Sequence, residues 1–185
     1  MGFALGCGVS LPAAANPDVW VTAKYVLRFN ETAMTGVSIE WAFDRYASDH
    51  ALASLDVDAD GAFSADELDE VRVQAFDPFA QDNYFVTVIA GESAVPFSAD
   101  AFGARIDDQH LVVRFTIVPS SPVDYRDAPV SISLHDESFF FDFDLAKENF
   151  LLVDGPFDGS CRFRVQPGEG PLAGHKKTIV LICGE

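Results

Sequence analysis

The sequence has few basic residues. Against 29 Asp and Glu it carries only 12 Lys and Arg, which gives a formal net charge of −17 at pH 7. A field of this sign repels the phosphates of nucleic acids and the anionic faces of membranes, and it attracts cations. We therefore expect no nucleic acid among the partners of this protein.

Long apolar runs are also missing. No stretch approaches the roughly 20 residues that a membrane-spanning helix needs, so we expect no membrane insertion of the mature chain. Hydrophobic residues nevertheless make up 49% of the 185 residues. That share is enough to bury a core in one domain of this length.

Motifs of common enzymes are absent. There is no G-x-S-x-G, H-E-x-x-H, G-x-G-x-x-G or phosphate-binding loop. The tripeptide His135, Asp136 and Glu137 is open to two interpretations, a metal or acid–base cluster and an ordinary polar turn. Neighbouring residues at the end of a strand point to opposite faces, which favours the turn. We therefore predict a protein without enzymatic activity.

The first 15 residues contain no charged side chain. An apolar stretch at 3–11 is followed by proline and by small residues at Ala13 and Ala15. This pattern is typical of a secretory signal with its cleavage site. We predict that residues 1–15 are the remnant of a signal peptide and that the mature, exported chain begins at Asn16. The alternative is a buried N-terminal strand.

Cysteine is scarce, with three in the chain. Cleavage before Asn16 would remove Cys7 and leave Cys161 and Cys183. An even pair in an oxidising compartment predicts a disulfide. A zinc–thiolate site fits less well, because the two cysteines lack C-x-x-C spacing.

Alternating apolar and polar residues, with many β-branched and aromatic side chains, predict a mainly β (α+β) fold. The predicted strands lie at 19–29, 35–43, 84–89, 104–118, 130–134, 138–145, 150–153, 161–165 and 178–183. Between the second and third strands, at about 44–78, the apolar period becomes helical. The sequence thus predicts a single antiparallel β-sandwich at 16–185 with an inserted helix–calcium loop–helix.

A run of phenylalanines stands near the middle of this strand series. Phe139, Phe140, Phe141 and Phe143 are typical of a strand or aromatic ladder in the core, and they would also suit the wall of a ligand groove. The sequence leaves both interpretations open.

The most informative motif begins at Asp56 and ends at Glu67. It reads D-x-D-x-D-G with Glu six residues after Gly61, the pattern of an EF-hand calcium loop. Calcium is a hard cation that takes about six to eight oxygen ligands, and the glycine allows the sharp bend. The predicted metal ligands are Asp56, Asp58, Asp60, Ala62 (through its carbonyl), Ser64 and Glu67.

The segments beside this loop agree with helices, because apolar residues recur there on one helical face. Ser48 and Arg72 are polar at two positions where that face predicts apolar residues. A magnesium site and a solvated acidic turn are the rival interpretations of the loop. Calcium sensors generally pair two such loops and expose methionine-rich surfaces. This chain has one loop and two methionines, which favours a structural calcium ion.

Several segments together resemble one bacterial family. They are Asn-Pro-Asp-Val-Trp-Val at 16–21, Trp-Ala-Phe-Asp at 41–44, the acidic loop, Asp-Asn-Tyr-Phe at 82–85, His-Asp-Glu-Ser-Phe-Phe at 135–140, Cys161 and Cys183. This order is similar to the DUF1007 family, whose members are described as periplasmic components of an uncharacterised ABC-type transport system, often encoded beside nickel, cobalt or zinc transporters. The resemblance implies a periplasmic protein with a membrane transporter component as its partner.

The family's usual mature terminus is His-Pro-His-Val, which suits a transition metal. Here the same positions read Asn16, Pro17, Asp18 and Val19. Both imidazoles are replaced, so we expect weak transition-metal binding at this terminus. The function predicted is that of an exported, non-enzymatic calcium-binding accessory of a metal transport system. The alternative is an adhesion or ligand-binding β-sandwich stabilised by structural calcium.

Overall fold

A computed structural model describes residues 17–169 and 173–183. The predicted signal remnant at 1–15 and the predicted mature start at Asn16 lie outside the described residues. The strands are β1 Val19–Phe29, β2 Met34–Phe43, β3 Val86–Ala90, β4 Ser93–Ala94, β5 Phe97–Asp107, β6 His110–Pro119, β7 Val130–Leu134, β8 Phe141–Leu145, β9 Leu151–Asp154, β10 Arg162–Pro167 and β11 Lys177–Ile182. The helices are α1 Arg45–Leu55, α2 Ala65–Val71, a π-helical turn Arg72–Phe76 and a 3₁₀ segment Asp77–Phe85.

The described strands form two sheets. The first has the order β5-β6-β2-β1-β8, with β9 also paired to β1, and the second has the order β10-β11-β7-β3-β4. Most of the pairings are antiparallel. The prediction of a mainly β fold rich in antiparallel pairs is confirmed.

Two pairings differ from the all-antiparallel prediction. Strand β1 pairs in parallel with β8, where Val21 lies opposite Phe143, and with β9, where Tyr25 lies opposite Leu151. The alternation of residues marks a strand but says nothing about the direction of its neighbour. That direction depends on the path of the chain, which leaves β7 in the second sheet and returns to the first sheet at β8. The path is set by long-range contacts.

The segment at 104–118, predicted as one strand, is a hairpin. Strands β5 and β6 pair up to Asp107 opposite His110. The chain turns at Asp108 and Gln109, both in the left-handed region with φ of 48° and 63°. Such turns usually contain glycine or asparagine, so no break was visible in the sequence.

The core is one cluster that contains buried residues of both sheets. Its largest member is Trp41 of β2, which is 1% exposed. The indole ring lies 4.7 Å from the ring of Phe115 in β6 and 5.6 Å from that of Phe143 in β8. It also lies 6.3 Å from the ring of Phe85, the last residue before β3. The contact with Phe115 is edge-to-face, and aromatic contacts of this kind add to the burial of apolar area.

Helical elements and the acidic loop occupy the chain between β2 and β3. They end at Phe85, beyond the expected 78, and β3 starts at 86 instead of the predicted 84 because Tyr84 and Phe85 are left-handed with φ of 52° and 55°. Helix α1 is capped by Asp44, whose carboxylate accepts the N–H of Ala47 at 2.9 Å. Among the described residues no helix is both long and apolar enough to cross a membrane.

The predicted disulfide between Cys161 and Cys183 is confirmed. Cys161 precedes β10 and Cys183 follows β11, where Arg162 lies opposite Ile182. The bond therefore links β10 to β11 at one end of this antiparallel pair, which lies at the edge of the second sheet.

Candidate metal site

The acidic loop connects two helices of the insert. Asp56 is the C-cap residue of α1, and its N–H donates to the carbonyl of Leu52. Ser64 is the N-cap residue of α2 and forms a capping box with Glu67. Both ends of the loop are thus fixed by helix caps.

The structure brings three predicted ligands together. Carboxylate oxygens of Asp56, Asp58 and Asp60 lie within 4.8 Å of one another, and among the described residues this is the cluster of His, Cys, Asp and Glu that could hold a metal ion. Asp56 is half-buried, whereas the other two aspartates are exposed. Three like charges this close repel one another in the absence of a cation.

Backbone N–H groups of the loop hold each of these carboxylates. Asp56 accepts from Gly61 at 3.3 Å, Asp58 from Asp60 at 3.3 Å, and Asp60 from Ala62 at 2.8 Å. These bonds fold the loop inward around the carboxylates. Other carboxylate oxygens of the three aspartates do not take part in these bonds and are available for a ligand.

The loop bends at two left-handed positions. Gly61 has a φ of 83°, which a residue without Cβ adopts at little cost, and Ala59 has a φ of 55°. Gly61 thus lies at the sharp bend that the sequence pattern predicted. The side chain of Phe63, two residues later, packs partly against the core.

One oxygen in the site lacks a partner. Oδ1 of Asp56 is buried and makes no hydrogen bond. Burial of a carboxylate oxygen without a compensating contact is costly, so this atom fits a position that faces a bound cation.

The structure does not bring Glu67 into the aspartate cluster. Its Oε1 accepts the N–H of Val57 at 2.7 Å, and its Oε2 accepts the N–H and the hydroxyl of Ser64 at 2.9 and 2.8 Å. The hydrogen bonds from Ser64, followed by that from Val57, lower the pKa of the Glu67 carboxyl. The side chain is buried and ionised at neutral pH, and it joins the first residues of the loop to α2.

The turn at His135–Glu137 lies elsewhere, at the end of β7. The buried carboxylate of Asp136 accepts the N–H groups of Ser138, Phe140 and Phe141 at 2.8 to 3.0 Å. Burial alone would raise the pKa of this carboxyl, but these bonds hold it below its usual value. Asp136 therefore has a structural task in the turn that starts β8.

The phenylalanine run divides between core and surface. Phe143 is buried, and Phe141 is half-buried and packs against the core. Phe140 is 47% exposed, and Phe139 is left-handed with a φ of 59°. The core interpretation thus holds for Phe141 and Phe143, whereas Phe140 lines a surface groove.

Sequence reasoning missed one pair of ionisable side chains, Asp142 and His175. Asp142 of β8 is buried, and its Oδ2 lies 3.3 Å from Nδ1 of His175. The two residues are 33 positions apart, and no local pattern connects them. A long-range contact between β8 and the turn before β11 brings them together.

Comparison with known proteins places the chain in a family. A family model described as "Protein of unknown function (DUF1007)" matches residues 1–176. This match covers nearly the whole sequence, so the chain belongs to that family, and the resemblance predicted from the sequence is confirmed. No curated protein matches the chain.

Proposed function

We propose that this member of the DUF1007 family is an exported, non-enzymatic protein that binds one calcium ion in the loop at 56–67 and serves as an accessory of a metal transport system. The observation that supports calcium binding best is the approach of Asp56, Asp58 and Asp60 within 4.8 Å. A dication between them would offset their repulsion and would contact the buried, unpaired Oδ1 of Asp56.

The donor set fits calcium. The residues that would hold the ion are Asp56, Asp58, Asp60, Ala62 (through its carbonyl), Ser64 and Glu67. All of them offer oxygen, which suits calcium and magnesium, and none offers the nitrogen or sulfur that transition metals prefer. The larger number of oxygens favours calcium over magnesium, which keeps several waters and near-octahedral geometry.

Glu67 would have to change partners to bind the ion. Its two oxygens now accept from Val57 and Ser64. A bound calcium ion would compete with these N–H and O–H donors for the carboxylate. When bound, the ion would supply charge neutralisation and fixed coordination in the loop.

We propose a structural task for the ion. The helices beside the loop bury Leu55, Val71 and Phe76 in the common core. Restraint of the loop would keep these side chains in register with the sheets. We interpret the two sheets, which share that core, as one β-sandwich domain that carries the helix–calcium loop–helix as an insert.

Export to the periplasm is supported by the disulfide between Cys161 and Cys183, since such bonds persist in oxidising compartments. The link to metal transport rests on the family resemblance. A net charge of −17 suits a partner with a basic face, and such an association weakens as salt concentration rises. Cross-linking in the native envelope followed by mass spectrometry should recover a membrane transporter component. Recovery of adhesion partners alone would refute the transport link.

A second candidate function is an adhesion or ligand-binding sandwich that calcium merely stabilises. The observation in its favour is a groove between the 3₁₀ segment and the turn at 135–141. A panel of glycans would identify such a ligand, and preferential binding of a neutral glycan in the groove would favour this candidate.

Thermal unfolding with and without calcium tests the site itself. A ligand at 100 times its dissociation constant stabilises the folded state by about 2.7 kcal/mol. Asp60→Asn should lose most of this gain. Asp66→Asn is the matched control, because Asp66 is an exposed carboxylate in the first turn of α2 that belongs to no predicted ligand set. Equal calcium-dependent stabilisation of wild type and Asp60→Asn would contradict the assignment.

A further inference from the structure

A groove of about 740 Å³ lies between the 3₁₀ segment and the turn that leads into β8. Its volume is within the range of ligand sites in proteins. It shares no residue with the loop at 56–67. Its wall contains phenylalanine rings, including that of Phe140. It also contains polar side chains, including those of Asp82, Glu137 and His135.

One wall of the groove is a turn of left-handed backbone. Asn83, Tyr84 and Phe85 have φ values of 52°, 52° and 55°. Left-handed conformation costs roughly 1–2 kcal/mol per residue for side chains other than glycine, and strain of this kind concentrates at functional sites. Surrounding contacts hold the turn, because the carbonyl of Phe85 accepts the N–H of His135 at 2.9 Å and the ring of Tyr84 stacks on Phe76.

Strand β3 lies between β7 and β4, and the same turn takes up the backbone hydrogen bonds of its first residue. The N–H of Val86 donates to the carbonyl of Asn83, and the side-chain amide of Asn83 donates back to the carbonyl of Val86 at 2.9 Å. The backbone N–H and the carbonyl of Val86, the first residue of β3, are therefore both hydrogen-bonded within the chain. Strand addition is blocked at this residue, so recognition there has to use side chains.

The charges that line the groove have one sign. Asp82 and Glu137 are exposed carboxylates, and no Lys or Arg is among the residues that line it. Burial, with a contribution from nearby Lys176, lowers the pKa of His135, while Asp136 and Glu137 act in the opposite direction. The imidazole is thus neutral at pH 7 and able to accept a hydrogen bond. The groove offers an exposed aromatic ring and carboxylates together, a combination that selects cations.

From this arrangement we infer that the groove is a docking site for a basic segment of a partner polypeptide, with an arginine or lysine side chain against the ring of Phe140 and its charge balanced by Glu137 and Asp82. The net charge of −17 would attract such a segment over a longer range. Docking of this kind would serve the accessory role proposed above. It rests on that role, but peptide binding is measured at the groove and calcium binding at the loop, so failure of one proposal is distinguishable from failure of the other.

Fluorescence anisotropy with a labelled peptide of alternating arginine and glycine tests the inference. The full mature protein is titrated at physiological salt, and a peptide with citrulline in place of arginine removes the charge while it keeps the shape. Phe140→Ala and Glu137→Gln should each weaken binding of the arginine peptide about five-fold, as expected for exposed cation–π and ion-pair contacts. Phe140→Leu should resemble Phe140→Ala, since it keeps apolar bulk but removes the aromatic ring.

Glu148→Gln is the matched control, because it removes the same charge from an exposed residue outside the groove. It should change the affinity by less than about two-fold, the scale of a screened surface charge. Equal loss in Glu148→Gln and Glu137→Gln would reduce the effect to general surface attraction and overturn the inference. Equal affinity for the citrulline peptide, no binding of the arginine peptide at millimolar concentration, or preference for a neutral oligosaccharide would also overturn it.

Discussion

The hydroxyl of Ser48 accepts the backbone N–H of Leu111 at 2.9 Å, across 63 positions of the chain. Ser48 lies in α1 and is fully buried, and its hydroxyl also donates to the carbonyl of Phe43 at 3.3 Å. One side chain thus attaches the first helix of the insert to β6. The position that looked like a flaw in an apolar helical face is a polar link between helix and sheet.

Ser48→Ala should lower the free energy of unfolding by about 1–3 kcal/mol, because the N–H of Leu111 would be left buried without an acceptor. Ser54→Ala is the matched control in the same helix, since the Ser54 hydroxyl is exposed and bonds only locally to Ala51. That change should stay within about 0.5 kcal/mol. Chemical denaturation measures both, and equal losses would show that the link to Leu111 contributes nothing.

Asp136→Asn should destabilise the turn into β8. The amide replaces one of the two oxygens that accept from Ser138, Phe140 and Phe141, and hydrogen bonds to a charged group contribute about 1.5–3 kcal/mol. Glu92→Gln, at an exposed turn, should have little effect. A loss no larger than that of Glu92→Gln would contradict the role of Asp136.

The same carboxylate predicts a dependence on pH. The pKa of Asp136 is lower in the folded state than its ordinary value of 3.8, so the unfolded chain binds the proton more readily. Its contribution to stability is present above about pH 4 and is lost as the pH falls through the folded-state pKa. Unfolding curves measured from pH 6 down to pH 2 should therefore decline less steeply in Asp136→Asn than in wild type. Parallel curves would contradict this prediction.

Removal of the disulfide should lower stability by about 3 kcal/mol, from the chain entropy of a closed loop of this length. The bond spans 22 positions between Cys161 and Cys183. The double change to serine avoids a free thiol, and wild type with reductant is the second form to compare. Denaturant midpoints that do not shift in either form would refute a stabilising role.

The N-terminus lacks two histidines that are usual in the family, and restoring them tests their role in metal binding. Mature protein that begins at Asn16 should show no sub-micromolar binding of Ni²⁺, Co²⁺ or Zn²⁺, since Asn16 and Asp18 stand where the family has imidazoles. Asn16→His together with Asp18→His should create such binding. Intact mass confirms the start of the chain, and tight binding by the unaltered protein would show that another cluster holds the metal.

Much of this fold was visible in the sequence where the signal is local. The alternation of β1 and the even pair of cysteines led to a strand at 19–29 and to the disulfide that the structure contains. The acidic loop was visible because its aspartates and glycine recur at a fixed spacing, and Gly61 lies at the left-handed bend.

What the sequence did not reveal depends on distant contacts or on unusual backbone. The turn at Asp108 and Gln109 lacks the glycine that normally marks a hairpin, so β5 and β6 were read as one strand. In the left-handed turn that ends at Phe85, Asn83 favours this conformation but Tyr84 and Phe85 do not, and aromatic contacts of Phe85 help to hold it. For the same reason the groove beside it could not be predicted. The partners of Glu67 depend on where the loop places Val57, which spacing alone does not define.

Calorimetric titration of calcium into the calcium-free mature protein, with wild type beside Glu67→Gln, is the most direct test of calcium binding. We predict one Ca²⁺ per chain with a dissociation constant on the order of 10⁻⁵ to 10⁻³ M, as in sensor and extracellular sites, and poor competition by Mg²⁺. Glu67→Gln should bind at least about ten-fold more weakly, because it loses a charged and potentially bidentate oxygen ligand. No binding at millimolar calcium, or an unchanged dissociation constant in Glu67→Gln, would contradict calcium as the ligand of this loop.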